Sequence, residues 1–292
     1  MWQPRGLQLL KSYFSLFSSC FIVFGLIAPQ AYPQEALRPV AKFAMPASVQ
    51  GKFDHIAIDY RGSRLLVAAE SAHQVLIFDL KRGKYLRSIE GIEIPHAIFV
   101  REDLNRIYVT DGGSGALKVY DGTTYSLLKS IPLKVDADSI GYDPASHLLY
   151  IDNGGGDAHE SFSMLSIVDT TREVKVADVK IDGDTLEAMT LEKSSDRMYV
   201  NDAPKNEIVE LNRKDHSIVA NWPVKLGKRN VAMALDEGWH RLFVASRSGN
   251  ISVFDTATGK ELTSVLIGKG RYFMIVPPQG SAPGAIYAYS IQ

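Results

Sequence analysis

Two histidines, four carboxylates and one carboxamide stand out in this 292-residue chain because of where they fall. Asp54, His96, Asp138 and Glu187, with Val231, occupy the same place ahead of five short apolar segments, IAID, IFVR, IGYD, MTLE and MALD. His55, Asp136 and Asn230 lie next to them. If those segments are equivalent strands around an axis, the side chains before them form a ring. Oxygen and imidazole groups converging in this way suit a divalent cation or an ordered water cluster. A channel mouth that is polar only because water fills it is the competing reading. A second candidate is the longest loop, residues 153 to 163, which carries Asp157, His159 and Glu160. Such an insertion is either a binding rim or a tolerated excursion. Its glycine run lacks the Lys-Ser/Thr of a phosphate loop, which argues against nucleotide binding. His55 beside Asp54 has the makings of a general base. The chain holds no G-x-S-x-G, H-E-x-x-H or C-x-x-C-H sequence, however, so no catalytic residue is assigned.

The elements that would position these residues repeat. RLLV at Arg64 is followed by RIYV at Arg106, LLYI at Leu148, RMYV at Arg197 and RLFV at Arg241, at intervals of 42, 42, 49 and 44 residues. Each is preceded by one of the apolar segments above and followed by a strand ending in a polar residue: Asp79, Asp121, Asp169, Asn212 or Asp255. A fourth strand closes each unit, as in YLRSI and LLKSI. Runs rich in Val, Ile, Tyr and Phe between Gly, Asp and Asn clusters are strand and turn chemistry. The closing Asp is expected to accept backbone N–H groups of its turn, with Gly83 and Gly259 supplying positive φ, and not to be catalytic. A four-stranded antiparallel unit recurring at this period predicts an all-β propeller. With strands lettered a to d from the axis outward, strand a is expected to be buried on both faces.

Five complete units account for residues 54 to 267. PVAKFAMP, residues 39 to 46, resembles a strand d, RYFMIV a strand b and AIYAYSI a strand c. Together they predict an incomplete sixth blade closed by both termini and lacking strand a.

Composition narrows the function. With 32 basic and 33 acidic residues the chain offers no general attraction for polyanions, and nucleic-acid binding is not expected. Its one local excuse is Lys225, Lys228 and Arg229. Arg5 and Lys11 precede an uncharged apolar stretch, residues 13 to 27, shorter than the about 20 residues of a membrane span. Residues 1–35 therefore read as a secretory signal peptide, with an uncleaved N-terminal anchor as the alternative, and residues 36–292 as a single propeller domain. Cys20, the one cysteine, lies inside that stretch. A processed chain has no thiol for a disulfide or a thiolate site.

The R-[IL]-[YF]-V strands and D-x-x-x-G turns, with GKFDHIAIDYRGSRLLVAA, KRNVAMALDEGWHRLFVASR and the C-terminal RYFMIVPPQGSAPGAIYAYSI, resemble the YVTN-type propellers, and more closely the YncE-like exported bacterial proteins. The resemblance covers residues 39 to 292. It implies seven blades, so this chain is about one blade short of that pattern. It also implies a periplasmic or secreted, non-enzymatic binding or scaffold protein whose unknown protein or small-molecule ligand meets the channel face. A lactonase-like metal-dependent hydrolase at the axial mouth, and a DNA-binding propeller, are the alternatives. Membrane contact is expected only through an uncleaved N-terminus.

Overall fold

A computed structural model describes residues 43–267 and the backbone of two strands, residues 271–276 and 285–290. The segment expected to be a signal peptide or anchor and residues 39–42 of the expected terminal strand lie outside the described residues. The first four-stranded sheet is β1 (Ile56–Asp59), β2 (Arg64–Ala69), β3 (Gln74–Asp79) and β4 (Tyr85–Ile89). The second is β5 (Pro95–Arg101), β6 (Arg106–Asp111), β7 (Ala116–Asp121) and β8 (Leu127–Pro132). The third is β9 (Ile140–Asp143), β10 (Leu148–Gly154), β11 (Ser163–Asp169) and β12 (Val174–Ile181). The fourth is β13 (Leu186–Leu191), β14 (Arg197–Asp202), β15 (Glu207–Asn212) and β16 (Ser217–Pro223), and the fifth β17 (Asn230–Asp236), β18 (Arg241–Ser246), β19 (Asn250–Asp255) and β20 (Lys260–Leu266). β21 (Arg271–Val276) and β22 (Ala285–Ser290) make a two-stranded antiparallel sixth sheet.

Every described sheet runs antiparallel in sequence order, and β1, β5, β9, β13 and β17 pack against one another in turn. These are the blades of a propeller, five complete and one partial. β21 packs against β17, the contact an inner strand makes elsewhere in the ring.

The core lies between the blades. One cluster joins Leu66 and Ile77 of the first to Ile98 and Ile107 of the second. Others join Tyr108 and Val119 to Leu149 and Val168, Tyr150 and Ile167 to Met198 and Leu211, and Tyr199 and Trp222 to Leu242 and Phe254. The remaining face of the first blade, with Val67, Leu76 and Phe78, is covered by Phe43 and Val49. The Phe43 ring meets Phe78 edge-on with centroids 5.7 Å apart. The strand d expected at residues 39 to 46 is therefore not present in its described part. Pro46 starts a turn, its carbonyl accepting from Val49 N at 2.9 Å, and the chain packs by side chains instead of pairing by backbone.

The inner strands also depart from expectation. Ile98 is buried, but Ile56 is 56% exposed and Ile58 39% exposed. A strand beside the axial channel has another blade behind only part of its surface.

The acids ending strand c behave as read. Asp79 Oδ1 accepts from Lys81 N and Arg82 N, both at 2.9 Å, and Asp121, Asp169 and Asp255 make the same pair of bonds. Gly83 and Gly259 adopt φ of 65° and 67°. Tyr125, Glu173 and His216 hold that place in the other blades at φ of 63°, 53° and 61°, so the aspartate or asparagine bonds hold a left-handed residue even without glycine.

The arginine that opens strand b carries a role that its apolar neighbours concealed. Arg64 pairs with Asp59 and donates to Gly122 O, in the next blade, at 2.5 Å. Arg106 donates to Glu173 at 3.1 Å, and Arg197 to Thr256 O at 2.6 Å. Blade three has Leu148 at this place, and there the link runs backward. Arg213 of blade four pairs with Asp143 of blade three and donates to Glu192 O at 2.7 Å and Ser195 O at 2.5 Å. The side chains of Arg213 and Asp143 are only 7% and 12% exposed. Removing one partner strands the other away from water, so Arg213→Ala is expected to lower stability to urea by about 3 kcal/mol or more. Arg213→Met with Asp143→Leu should recover most of that loss; equal losses in the single and double variants would show that the pair is not the cause.

Candidate functional site

Strands a and c run away from one end of the axis, and b and d return to it. The d–a connections, the b–c loops and the first residues of strand a therefore share that end. Register shifts interrupt the a–b ladder between Pro95 and Ile98, between Leu186 and Met189, and between Asn230 and Ala232. Such bulges re-aim side chains, and His96 and Glu187 lie within two of them. Next to His96, a Cβ on Gly112 would come within 3.1 Å of the imidazole, so glycine lets the ring lie against the backbone.

A peg from strand b holds the following blade. Thr110 Oγ1 accepts from Ala97 N at 2.7 Å and donates to Asp138 O at 2.8 Å. Asn201 Nδ2 donates to Val231 O at 2.9 Å in the same way. Asp152 has the equivalent place in blade three, where the matching carbonyl is that of Glu187. Burial, then the nearby charges of Asp138, Asp136 and Glu187, push its carboxyl well above the usual range.

The structure brings four of the predicted ring residues together. One ligand atom from each of Asp54, His96 and Asp138 lies within 4.8 Å of the others. His55 Nδ1 is 2.8 Å from Asp54 Oδ1 and 3.9 Å from Asp138 Oδ1, while His96 Nδ1 is 3.4 Å from Asp138 Oδ1. Asp136 follows Val135 in the d–a connection with φ of 59° and lines a cavity of about 440 Å³ with His96, Asp157, His159 and Glu70.

Burial disfavours charge on His96, yet its contact with Asp138 and the charges of Asp54 and Asp136 outweigh this and raise it to about 9. His55 is raised, because Asp54 and Asp138 overcome burial. Burial alone would lift Asp54, but the His55 bond and charge hold it below the ordinary carboxylate range. Asp136 is pushed up to about 6 by burial and by Asp157 and Asp138.

Three predicted residues are committed elsewhere. Asn230 is fully buried, its amide donating to Asn201 Oδ1 at 2.6 Å and Glu207 O at 2.8 Å, so it clamps blades four and five. Glu160 pairs with Lys134 at the root of its loop. Glu187 is met by Arg247 at 3.0 Å; burial still raises its carboxyl. Asp152 and Arg247 went unnoticed in the sequence. The repeat offered a signal for Asp152, since it breaks a column otherwise filled by Ala68, Thr110, Asn201 and Ala245.

A group whose folded value exceeds about 6.5 stabilises fully below that pH and loses its contribution as pH rises through the folded value. In chelator-treated protein, His96 is expected to titrate near 9 by NMR. The melting temperature should fall between about pH 6.5 and 9, and less steeply in Asp138→Asn. An ordinary titration of His96 in the wild-type protein would contradict this account.

No curated protein matches the chain. Among solved structures, Kuenenia stuttgartiensis hydrazine synthase superposes with a TM-score of 0.61 at 16% identity, over 69% of this chain and 64% of that one. A chain of a nidogen/laminin complex gives 0.58 at 16% identity, over 73% and 80%. At such identity the likeness shows the fold alone, and this chain spans less than two thirds of the hydrazine synthase chain. Residues 54–239, more than half of the sequence, match the family described as 6-bladed beta-propeller (DUF5128), a blade number equal to five full sheets and one partial sheet, and the chain belongs to that family.

Proposed function

We propose that this protein is a non-enzymatic binding propeller, working outside the cytoplasm, that receives a positively charged ligand at the acidic end of its axis. The observation that carries this reading is the cavity where Asp136 and Asp157 face His96 and His159. Both ends hold paired acids, Glu187 with Arg247 and Glu160 with Lys134 at the cavity end, but they differ at Asp136. At the far end, Asp59, Asp143 and Glu192 each meet an arginine. At the cavity end, Asp136 is pushed toward neutrality first by burial and then by the charges of Asp157 and Asp138, and an incoming cation relieves that repulsion. Acids that repel one another in a concave site favour a cationic occupant over phosphate, so Lys225, Lys228 and Arg229 do not make this end a nucleic-acid surface.

In this reading the chain is a YncE-like exported protein, about one blade shorter than the seven-bladed pattern of that group. Its partner is a small molecule or a protein segment bearing amines or guanidinium groups. Residues 1–35 direct export. N-terminal sequencing of the exported protein should begin after Ala31 or Ala36, whereas a start at Met1 would mean a retained anchor.

Spermidine is a suitable probe of the cavity. Calorimetry should show binding that weakens with salt, with a loss of about tenfold, or 1.4 kcal/mol, in each of Asp136→Asn and Asp157→Asn. Unchanged affinity in the double variant, or tighter binding of duplex DNA that depends on Lys228, would reject the proposal.

A further inference from the structure

We infer that Asp54, His96 and Asp138 form a binding site for one divalent first-row transition metal, such as Mn²⁺ or Zn²⁺, at the mouth of the channel. This rests on reading the mouth as a cation site, and it names the innermost occupant. The three residues come from three successive blades and hold equivalent places in the repeat, so the ring itself brings them together. Their ligand atoms lie within 4.8 Å of one another. Donors around a single cation at about 2.0–2.2 Å stand about 3–3.5 Å apart, so small side-chain rotations complete the site.

Two of the three ligands present an atom that such an ion would satisfy and that lacks a hydrogen-bond partner. His96 Nδ1 and Asp138 Oδ1 are both buried and neither makes a hydrogen bond, although they are 3.4 Å apart. An orphaned buried polar atom costs about 1–3 kcal/mol, and two of them this close together point to a missing partner.

The surroundings hold the donors in place. Asp54 N donates to Ala68 O at 2.9 Å, His55 orients the Asp54 carboxylate, and Thr110 holds the backbone of Asp138. Orienting bonds of this kind, here behind Asp54 and Asp138, are what metal sites use to fix their ligands. One imidazole with two carboxylates favours Mn²⁺, Fe²⁺ or Zn²⁺ over Ca²⁺, which takes six to eight oxygens. Three protein donors leave positions open for water or for a ligand group in the adjoining cavity.

The test is calorimetric titration of chelator-treated protein with MnCl₂, ZnCl₂ and CaCl₂, beside spermidine, with nitrogen coupling to bound Mn²⁺ read by pulsed electron paramagnetic resonance. One equivalent of Mn²⁺ or Zn²⁺ is expected, with Ca²⁺ at least about tenfold weaker. His96→Ala should abolish the nitrogen coupling, and Asp138→Asn should weaken uptake by about a hundredfold or more. His55→Ala, which removes only the orienting bond, should weaken it by about tenfold. Glu160→Gln should leave it unchanged. If His96→Ala fails to melt as a folded protein, His96→Gln and Asp54→Asn carry the test. No stoichiometric uptake, or uptake that survives loss of both His96 and Asp138, overturns the inference. If spermidine still binds through Asp136 and Asp157 in that case, the cationic cavity stands without the metal; if neither binds, both readings fall.

Discussion

A four-stranded sheet of about 35 residues has two faces and cannot bury either without another sheet beside it. That constraint organises this protein. Tyr108, Tyr150 and Tyr199 are among its most deeply buried side chains, and each lies in a cluster that spans two blades. Each sheet thus completes the core of the one before it. The first blade shows what happens where a full neighbour is lacking: Phe43 and Val49, from outside the repeat, cover its apolar face.

The same stacking sets the division of labour between the two ends. At the end bearing the a–b and c–d turns, charges cross from blade to blade. Glu102 accepts from Tyr60 N at 2.7 Å, and Glu237, at the same place in blade five, accepts from Lys193 N at 2.6 Å. Tyr108 adds a bond to Thr170 O at 3.1 Å. These contacts set the angle between adjacent sheets, and the local exchange of Leu148 for an arginine supplied by Arg213 preserves the link while reversing its direction.

At the opposite end a repeated backbone position carries unlike side chains. Asp54, His96, Asp138, Glu187 and Val231 sit on the same scaffold, so the fold holds its shape whatever stands there. This makes a ring position a natural place for a binding site: the scaffold's hydrogen bonds come from backbone and from pegs such as Thr110, leaving the ring side chains unused. The shifted protonation of Asp54, His96 and Glu187 is what such a location permits and a packed core does not.

The sequence by itself determined the local and the periodic. Strands and turns were legible because RIYV and D-x-x-x-G obey short-range rules, and the recurrence of both made the propeller readable, along with the ring of residues ahead of each strand a. What only the tertiary structure decided was which of those residues share one space. His96 and Asp138 meet, whereas Asn230 is drawn to Asn201 and Glu160 to Lys134, because the partners lie on different blades or across a loop, and no spacing along the chain encodes that distance. The displacement of the expected N-terminal strand has the same origin: Phe43 found an uncovered face on Phe78, and the competition between burying a ring and pairing a backbone is settled only when the neighbouring surface exists.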